Sequence, residues 1–270
     1  VSNDELVKIP LREWKNLLTL HAGRKLFIDI YIKDHSVQWN KFRTIENTIA
    51  ADKIDSHIAY RLINPGYILW WDMGIYQRDL ESFDESPIFT NRMTKRNCMN
   101  CHSFCLNNPE IMMFHMRAQN SGTMITRNGQ VQKINTGTPF TMSPGVYPAW
   151  HPDGKHIAFS VNKIDQSFHA QAGQSIYVKD TASDLIIYNI ETNTVTTSPK
   201  VSTRRLENVP AWSPDGKLLY FCSGNEWNRQ KPYAEIQYDL LRIPYDTGSG
   251  KWGDCDTVLT AAETGKSISF

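Results

Sequence analysis

The sequence has no apolar run near the ~18 residues that a membrane-spanning helix needs, and its mean hydropathy is negative. A transmembrane helix is therefore excluded from these 270 residues. Neither sign of charge is in excess: 29 Lys and Arg stand against 28 Asp and Glu, with no long block of either. Such a chain lacks the electrostatic footprint for gripping nucleic acid or an anionic membrane. Cysteine is scarce and odd in number, five in all, which excludes a disulfide-built mini-protein; a chain this long buries enough surface to fold without staples. No Gly-x-Ser-x-Gly elbow is present, so the nucleophile turn of a serine hydrolase is missing. The chain opens on Val1 with no initiator Met, basic segment or apolar segment, and we expect any export signal to have been removed or never to have existed.

What the chain does have is a repeat. Tyr147-Pro148-Ala149-Trp150-His151-Pro152-Asp153-Gly154-Lys155, followed by His156-Ile157-Ala158-Phe159-Ser160, recurs as Val209-Pro210-Ala211-Trp212-Ser213-Pro214-Asp215-Gly216-Lys217 with Leu218-Leu219-Tyr220-Phe221-Cys222, 62 positions on. Pro presets φ, Asp binds the backbone of its own turn and Gly takes a positive φ, so each copy reads as strand, turn, strand, with Asp153 and Asp215 as turn caps rather than acids. Asp184–Asn193 and Asp239–Gly248 follow in step as two further β-rich runs. The unit is a four-stranded antiparallel sheet, and sheets repeated in this way pack radially as propeller blades. Ile54–Ile63 and Gly74–Leu80 are expected to supply strands of a more degenerate blade.

The Trp-(Ser/His)-Pro-Asp-Gly-Lys turn before a hydrophobic strand resembles the repeat of TolB-like β-propellers, over about residues 140–270. The expected fold is all-β, a partial β-propeller of about four visible blades over residues 26–270, preceded by a helical segment over 1–25. In that segment Pro10 suits the first helical position, Leu11, Trp14, Leu17 and Leu18 share a face, and Gly23 suits the stop. Further blades are expected beyond residue 270, because the repeat period would place its next turn just past the last residue.

Cys98-Met99-Asn100-Cys101-His102 is Cys-x-x-Cys-His, the attachment signature of c-type haem: two thiols add to the vinyl groups and the adjacent His ligates iron. With five Cys and eight His in this chain, random placement yields roughly 0.003 such motifs. Cys98 and Cys101 are thus candidate haem anchors and His102 the candidate proximal ligand, in an insertion expected at about 90–108. Two other readings stay open: a local disulfide or free thiols, and a zinc or iron–sulfur site with Cys105. The adjacency of Cys101 and His102 strains the second of these. Cys105, Cys222 and Cys255 are spare under the haem reading. For a second axial ligand the run Pro109–Arg117 offers Met112, Met113, His115 and Met116, of which Met116 is the tentative choice, with His169 more remote. As a strand the run puts Met112, Phe114 and Met116 on one face and Met113, His115 and Arg117 on the other. His151, where the other repeat has Ser213, reads either as turn variation or as a ligand.

Cys-x-x-Cys-His ahead of TolB-like repeats resembles a group of bacterial cell-envelope propellers that carry a c-type haem signature. That resemblance implies haem c as cofactor, a periplasmic or outer-envelope location, and electron transfer or redox sensing with a redox partner. The alternative it leaves is a non-catalytic scaffold that binds an envelope protein or glycan, with structural cysteines. Related propellers also cap peptidases or house polysaccharide lyases, but no catalytic constellation stands out in this chain.

Overall fold

The computed structural model describes residues 7–33, 38–63, 72–167, 177–230 and 232–268. The chain forms two compact units, one of residues 1–60 with 76–88 and one of 61–75 with 89–270. In the first, helix α1 (Leu11–Leu20) starts one residue later than the sequence suggests: Pro10 is its N-cap, with extended φ and ψ, and Gly23 beyond its end has φ +78°. Two short antiparallel ladders follow, β1 (Lys25–Ile28) with β4 (Ile45–Thr48), and β2 (Tyr31–Lys33) with β3 (Trp39–Lys41). Strands β5 (His57–Ile63), β6 (Met73–Asp79) and β7 (Glu85–Thr90) then hydrogen-bond in that order. No helix among the described residues is long and apolar enough to cross a membrane.

The second unit carries three successive four-stranded antiparallel blades. The first is β8 (Met99–Phe104), β9 (Ile111–Met116), β10 (Gly122–Arg127) and β11 (Gln130–Ile134). The second is β12 (Val146–Trp150), β13 (His156–Ser167), β14 (Tyr177–Asn189) and β15 (Thr194–Thr196). The third is β16 (Leu206–Trp212), β17 (Leu218–Gly224), β18 (Tyr238–Asp246) and β19 (Lys251–Trp252), with β20 (Asp256–Leu259) also on β18. The architecture is the all-β, propeller-type stack of blades expected from the repeat.

Strand alternation supplies both faces of each blade. Ile157, Phe159, Ile186 and Tyr188 point from the second blade toward Met113 and Ile125 of the first. Ala158, Leu185 and Ile187 point the other way, toward Leu219, Phe221 and Ile243 of the third. Each fully buried side chain of this size contributes about 1.5–3 kcal/mol relative to exposure, so the middle blade is held from both sides.

A β-bulge interrupts the first strand of every blade at the same place. Register shifts between Asn100 and Ser103, Val146 and Ala149, and Asn208 and Ala211. In each case two residues oppose a single phenylalanine, Phe114, Phe159 or Phe221, and all three rings are 1% exposed. The leading bulge residues Cys101, Tyr147 and Val209 have φ of 54°, 49° and 54°, which costs about 1–3 kcal/mol apiece for non-glycine residues. Neighbouring bonds hold the strained backbone; the Val209 amide donates to Ser160 Oγ at 2.9 Å and to Asn208 Oδ1 at 2.9 Å. Aligned on the bulge, Cys101-His102-Ser103-Phe104-Cys105 is a third copy of Tyr147-Pro148-Ala149-Trp150-His151 and Val209-Pro210-Ala211-Trp212-Ser213. The Cys-x-x-Cys-His segment, expected as an insertion, therefore supplies the first strand of a blade.

The turns repeat as read from the sequence. Asp153 Oδ1 accepts from the Lys155 and His156 amides at 2.8 and 3.1 Å, and Asp215 Oδ1 from Lys217 at 3.2 Å. Gly154 and Gly216 take φ of 68° and 72°. Each of these glycines also sits under the preceding blade: a Cβ on Gly154 would lie 3.5 Å from Cys105 Sγ, and one on Gly216 only 2.4 Å from His151 Nε2. Gly216→Ala should therefore destabilise the chain by about 2 kcal/mol or more, from positive φ and collision together. In a double-mutant cycle by urea unfolding, His151→Ser should recover about 1 kcal/mol of that loss; strict additivity would show that the imidazole is not what the added methyl meets.

Candidate functional site

The Cys-x-x-Cys-His segment enters its strand from a tight 3-10 turn, Asn91–Thr94, after which Lys95 and Arg96 take left-handed φ values of 56° and 64°. Cys98 then lies buried at 6% exposure and Met99 is fully buried, whereas Cys101 and His102 on the bulge are half-exposed. The His102 ring meets the Phe104 ring edge-on, centroids 6.5 Å apart. The ladder continues past the strand end, with the Arg117 amide donating to Cys98 O at 2.9 Å. Arg61 Nη1 donates to Met99 O at 3.4 Å. All five cysteines are free thiols. Burial pushes the Cys98 thiol up, against the opposing pull of Arg117 and Arg61, so it is no activated nucleophile. On either side of it, Asn97 Nδ2 and Asn100 Oδ1 are buried with no hydrogen-bond partner.

The bulges of the other blades bring further polar groups to this place. Asp180 accepts from Asn162 Nδ2 at 2.8 Å and from Asn208 Nδ2, while its amide donates to Tyr233 Oη at 3.3 Å. Burial raises its carboxyl above the ordinary value, and the two amide donors oppose that rise. Burial likewise raises Tyr147, and the charges of Asp180 and Cys101 raise it further while Arg117 pulls it down. Cys101, Arg117 and Asp180 are thus each within electrostatic reach of Tyr147. Sequence reasoning named only the first of these as a site residue. The available signal was the variable residue ahead of Pro in each repeat, Tyr147 and Val209, which marks the bulge.

The axial candidates are split between the two faces of β9. Met116 is buried directly across the ladder from Met99, and Met112 is paired with Phe104. His115 pairs with Asn100 on the opposite face, and Met113 packs with Cys105 and Ile157. His169 lies outside the described residues. His115 Nδ1 is 3.3 Å from Thr123 Oγ1, and burial, aided by Arg117, lowers its pKa to about 4.

His151, Asp153 and His156 bring three possible metal-ligating atoms within 4.8 Å of one another. Their hydrogen bonds are nevertheless closed. Asn189 Oδ1 is taken by the Glu191 and Thr192 amides, so its Nδ2 donates to His156 Nε2 at 2.9 Å. His156 must then carry its proton on Nδ1, which donates to Asp153 Oδ2 at 2.7 Å. His151 Nδ1 accepts from the Asp153 amide at 3.0 Å, leaving Nε2–H to donate to Gly216 O at 2.9 Å. Both imidazoles are spent on the turn and on joining the second blade to the third.

No family model matches the chain, and no curated protein matches it. Among solved structures it is similar to TolB from Acinetobacter baumannii, at 13% identity and a TM-score of 0.45, covering 94% of this chain and 63% of that one. It is also similar to an oligogalacturonate lyase from Vibrio parahaemolyticus, at 13% identity and 0.47, covering 77% and 51%, and to a putative TolB from Agrobacterium tumefaciens, at 14% and 0.40, covering 68% and 56%. The chain spans less than two thirds of the length of each of these structures.

His115 generates a pH test. Its ordinary pKa of 6.5 falls to about 4 in the fold, so between those values the unfolded chain binds a proton that the native chain does not. Stability should be unaffected by this group above pH 6.5 and decline as pH falls toward 4, by about 3 kcal/mol at the bottom of that window. Urea unfolding across pH 4 to 7 should show this component vanishing in His115→Gln; an unchanged slope would mean that His115 protonates freely in the native state.

Proposed function

We propose that this chain is a propeller module of the bacterial cell envelope that carries a covalently attached c-type haem on the first strand of its first blade, for electron transfer or redox sensing. The observation that carries the reading is the donor set. Two unpaired thiols and an imidazole sit in Cys-x-x-Cys-His order, and orphaned buried amide groups of Asn97 and Asn100 flank the first thiol. A buried polar atom without a partner costs about 1–3 kcal/mol, and a bound group with polar edges would relieve that cost. The residue types and their order are those that covalent haem attachment uses, which supports the reading.

In this reading Cys98 and Cys101 would hold the macrocycle through thioethers, their thiols having added across its two vinyl groups, and His102 would ligate iron. Met116, buried beside Met99, would be the second iron ligand. When bound, haem c supplies one-electron exchange at a potential set by axial ligands and burial. The surrounding chain contributes the exclusion of water, through Met99, Met116 and Phe114. Attachment of this kind takes place outside the cytoplasmic membrane, which makes the periplasm or outer envelope the proposed location and a redox protein the proposed partner.

One observation favours a second reading. Cys101 and His102 occupy the bulge positions that Tyr147-Pro148 and Val209-Pro210 fill in the other blades, where the same strand geometry forms around residues that bind no cofactor. On that reading the chain is a non-catalytic scaffold that binds an envelope protein or glycan and the thiols are structural. The two separate in an absorption spectrum with a pyridine haemochrome assay, on protein exported to a periplasm that contains the haem-attachment machinery. A covalent haem spectrum that disappears in Cys98→Ala/Cys101→Ala is the expected result; colourless wild-type protein under those conditions would reject the haem and leave the scaffold.

A further inference from the structure

Away from the thiol cluster, the third blade holds an open cavity of about 540 Å³, within the range of small-molecule sites. One wall is aromatic. Tyr245 and Trp252 are paired across β18 and β19, with ring centroids 4.7 Å apart, and Trp252 is half-exposed. The wall is braced from behind, because Trp212 lies 5.9 Å from Tyr245 and 4.7 Å from His151. The His151 bond to Gly216 O fixes the adjoining turn.

The polar lining is Asp215, Asp246, Lys217 and Lys251. Each carboxylate is held by its own turn. Asp215 Oδ1 accepts from Ser213 Oγ at 2.6 Å and from the Lys217 amide, and Asp246 Oδ1 from the Gly248 and Ser249 amides at 2.8 and 3.2 Å. Those bonds keep both carboxyls below the usual carboxylate range, the Ser213 hydroxyl leading for Asp215 and the Ser249 amide for Asp246. Two fixed acceptors and two ammonium donors thus border a rigid aromatic face.

The charges of this lining cancel. With two carboxylates set against two ammonium groups, the net charge of the lining selects neither a cation nor an anion. A ligand whose hydroxyl groups both donate and accept, and whose C–H face is flat and apolar, satisfies all three features together. We infer that the cavity walled by Tyr245 and Trp252 binds a neutral pyranose, alone or as a unit of a glycan. Trp252 stacks on the sugar face, the carboxylates accept from its hydroxyls and the lysines donate to them. The site stands independently of the haem reading.

The test is saturation-transfer NMR on the full chain with maltose, cellobiose and N,N′-diacetylchitobiose, beside digalacturonate and choline as charged controls. At least one neutral disaccharide should receive saturation on its ring protons. Trp252→Ala should weaken that binding about tenfold or more, as loss of a central aromatic contact does. Asp246→Asn/Lys251→Gln, which keeps the turn's acceptor and the aromatic wall, should weaken it several-fold and serves if Trp252→Ala does not fold. Transfer to none of the neutral sugars, transfer undiminished in the variants, or binding of a charged control alone would each overturn the assignment.

Discussion

The bulge on the first strand of each blade, with one phenylalanine opposite two residues, is the constraint from which the rest of the second unit follows. Turning Cys101, Tyr147 and Val209 into the left-handed region opposes the preference of every L-residue and is worst for β-branched Val209. The geometry persists because Phe114, Phe159 and Phe221 fill the opposing position and are buried between neighbouring sheets. Their burial offsets the local strain. The bulge in turn sharpens the strand twist, and in the second and third blades it leads into a turn whose glycine lies beneath the preceding blade.

This arrangement explains how a motif associated with cofactor attachment comes to sit in a sheet. Cys98 and Met99 precede the bulge and share the burial of the strand, while Cys101 and His102 occupy it and stay accessible. The same geometry in the next two blades leads to Tyr147 and to Asn208, which holds Asp180, so repeat packing brings thiol, guanidinium and carboxylate groups within reach of one phenol. The strain and the unpartnered amides of Asn97 and Asn100 fall on the same short segment. Locally unfavourable features of this kind are retained where a site needs them.

Much of the fold was legible because Pro-Asp-Gly-Lys turns are local chemistry: each residue acts on its own backbone, and two copies fix the period. The strand runs around 57–63 and 74–79 and the N-terminal helix were legible from their side-chain patterns. The first blade was harder to read. Its turn is Leu106-Asn107-Asn108-Pro109-Glu110, which reaches positive φ through Leu106 and Asn107 without the usual residues, and Phe104 stands where the other copies have Trp. The motif that drew the eye to Cys98–His102 also hid its kinship with the repeat. What could not be read were long-range partners. Asp180 meets Asn208 only after two blades have packed, and the role of His151 depends on the carbonyl of Gly216, 65 residues away. His151, left open by the sequence between turn variation and ligand, spends its ring on its own turn and on Gly216 O, and that bond to the next blade has no local signature.

The most direct measurement is amide hydrogen exchange on the haem-free full chain, resolved over residues 98–116, 146–160 and 206–222. If Cys98–Phe104 is the bulged first strand of a blade, its ladder amides and that of Arg117 should be protected to a degree comparable with those of the second and third blades, with faster exchange confined to the bulge residues. Exchange throughout 98–104 at the rate of an exposed loop, beside protected strands in the other two blades, would contradict the account and return the motif to an insertion.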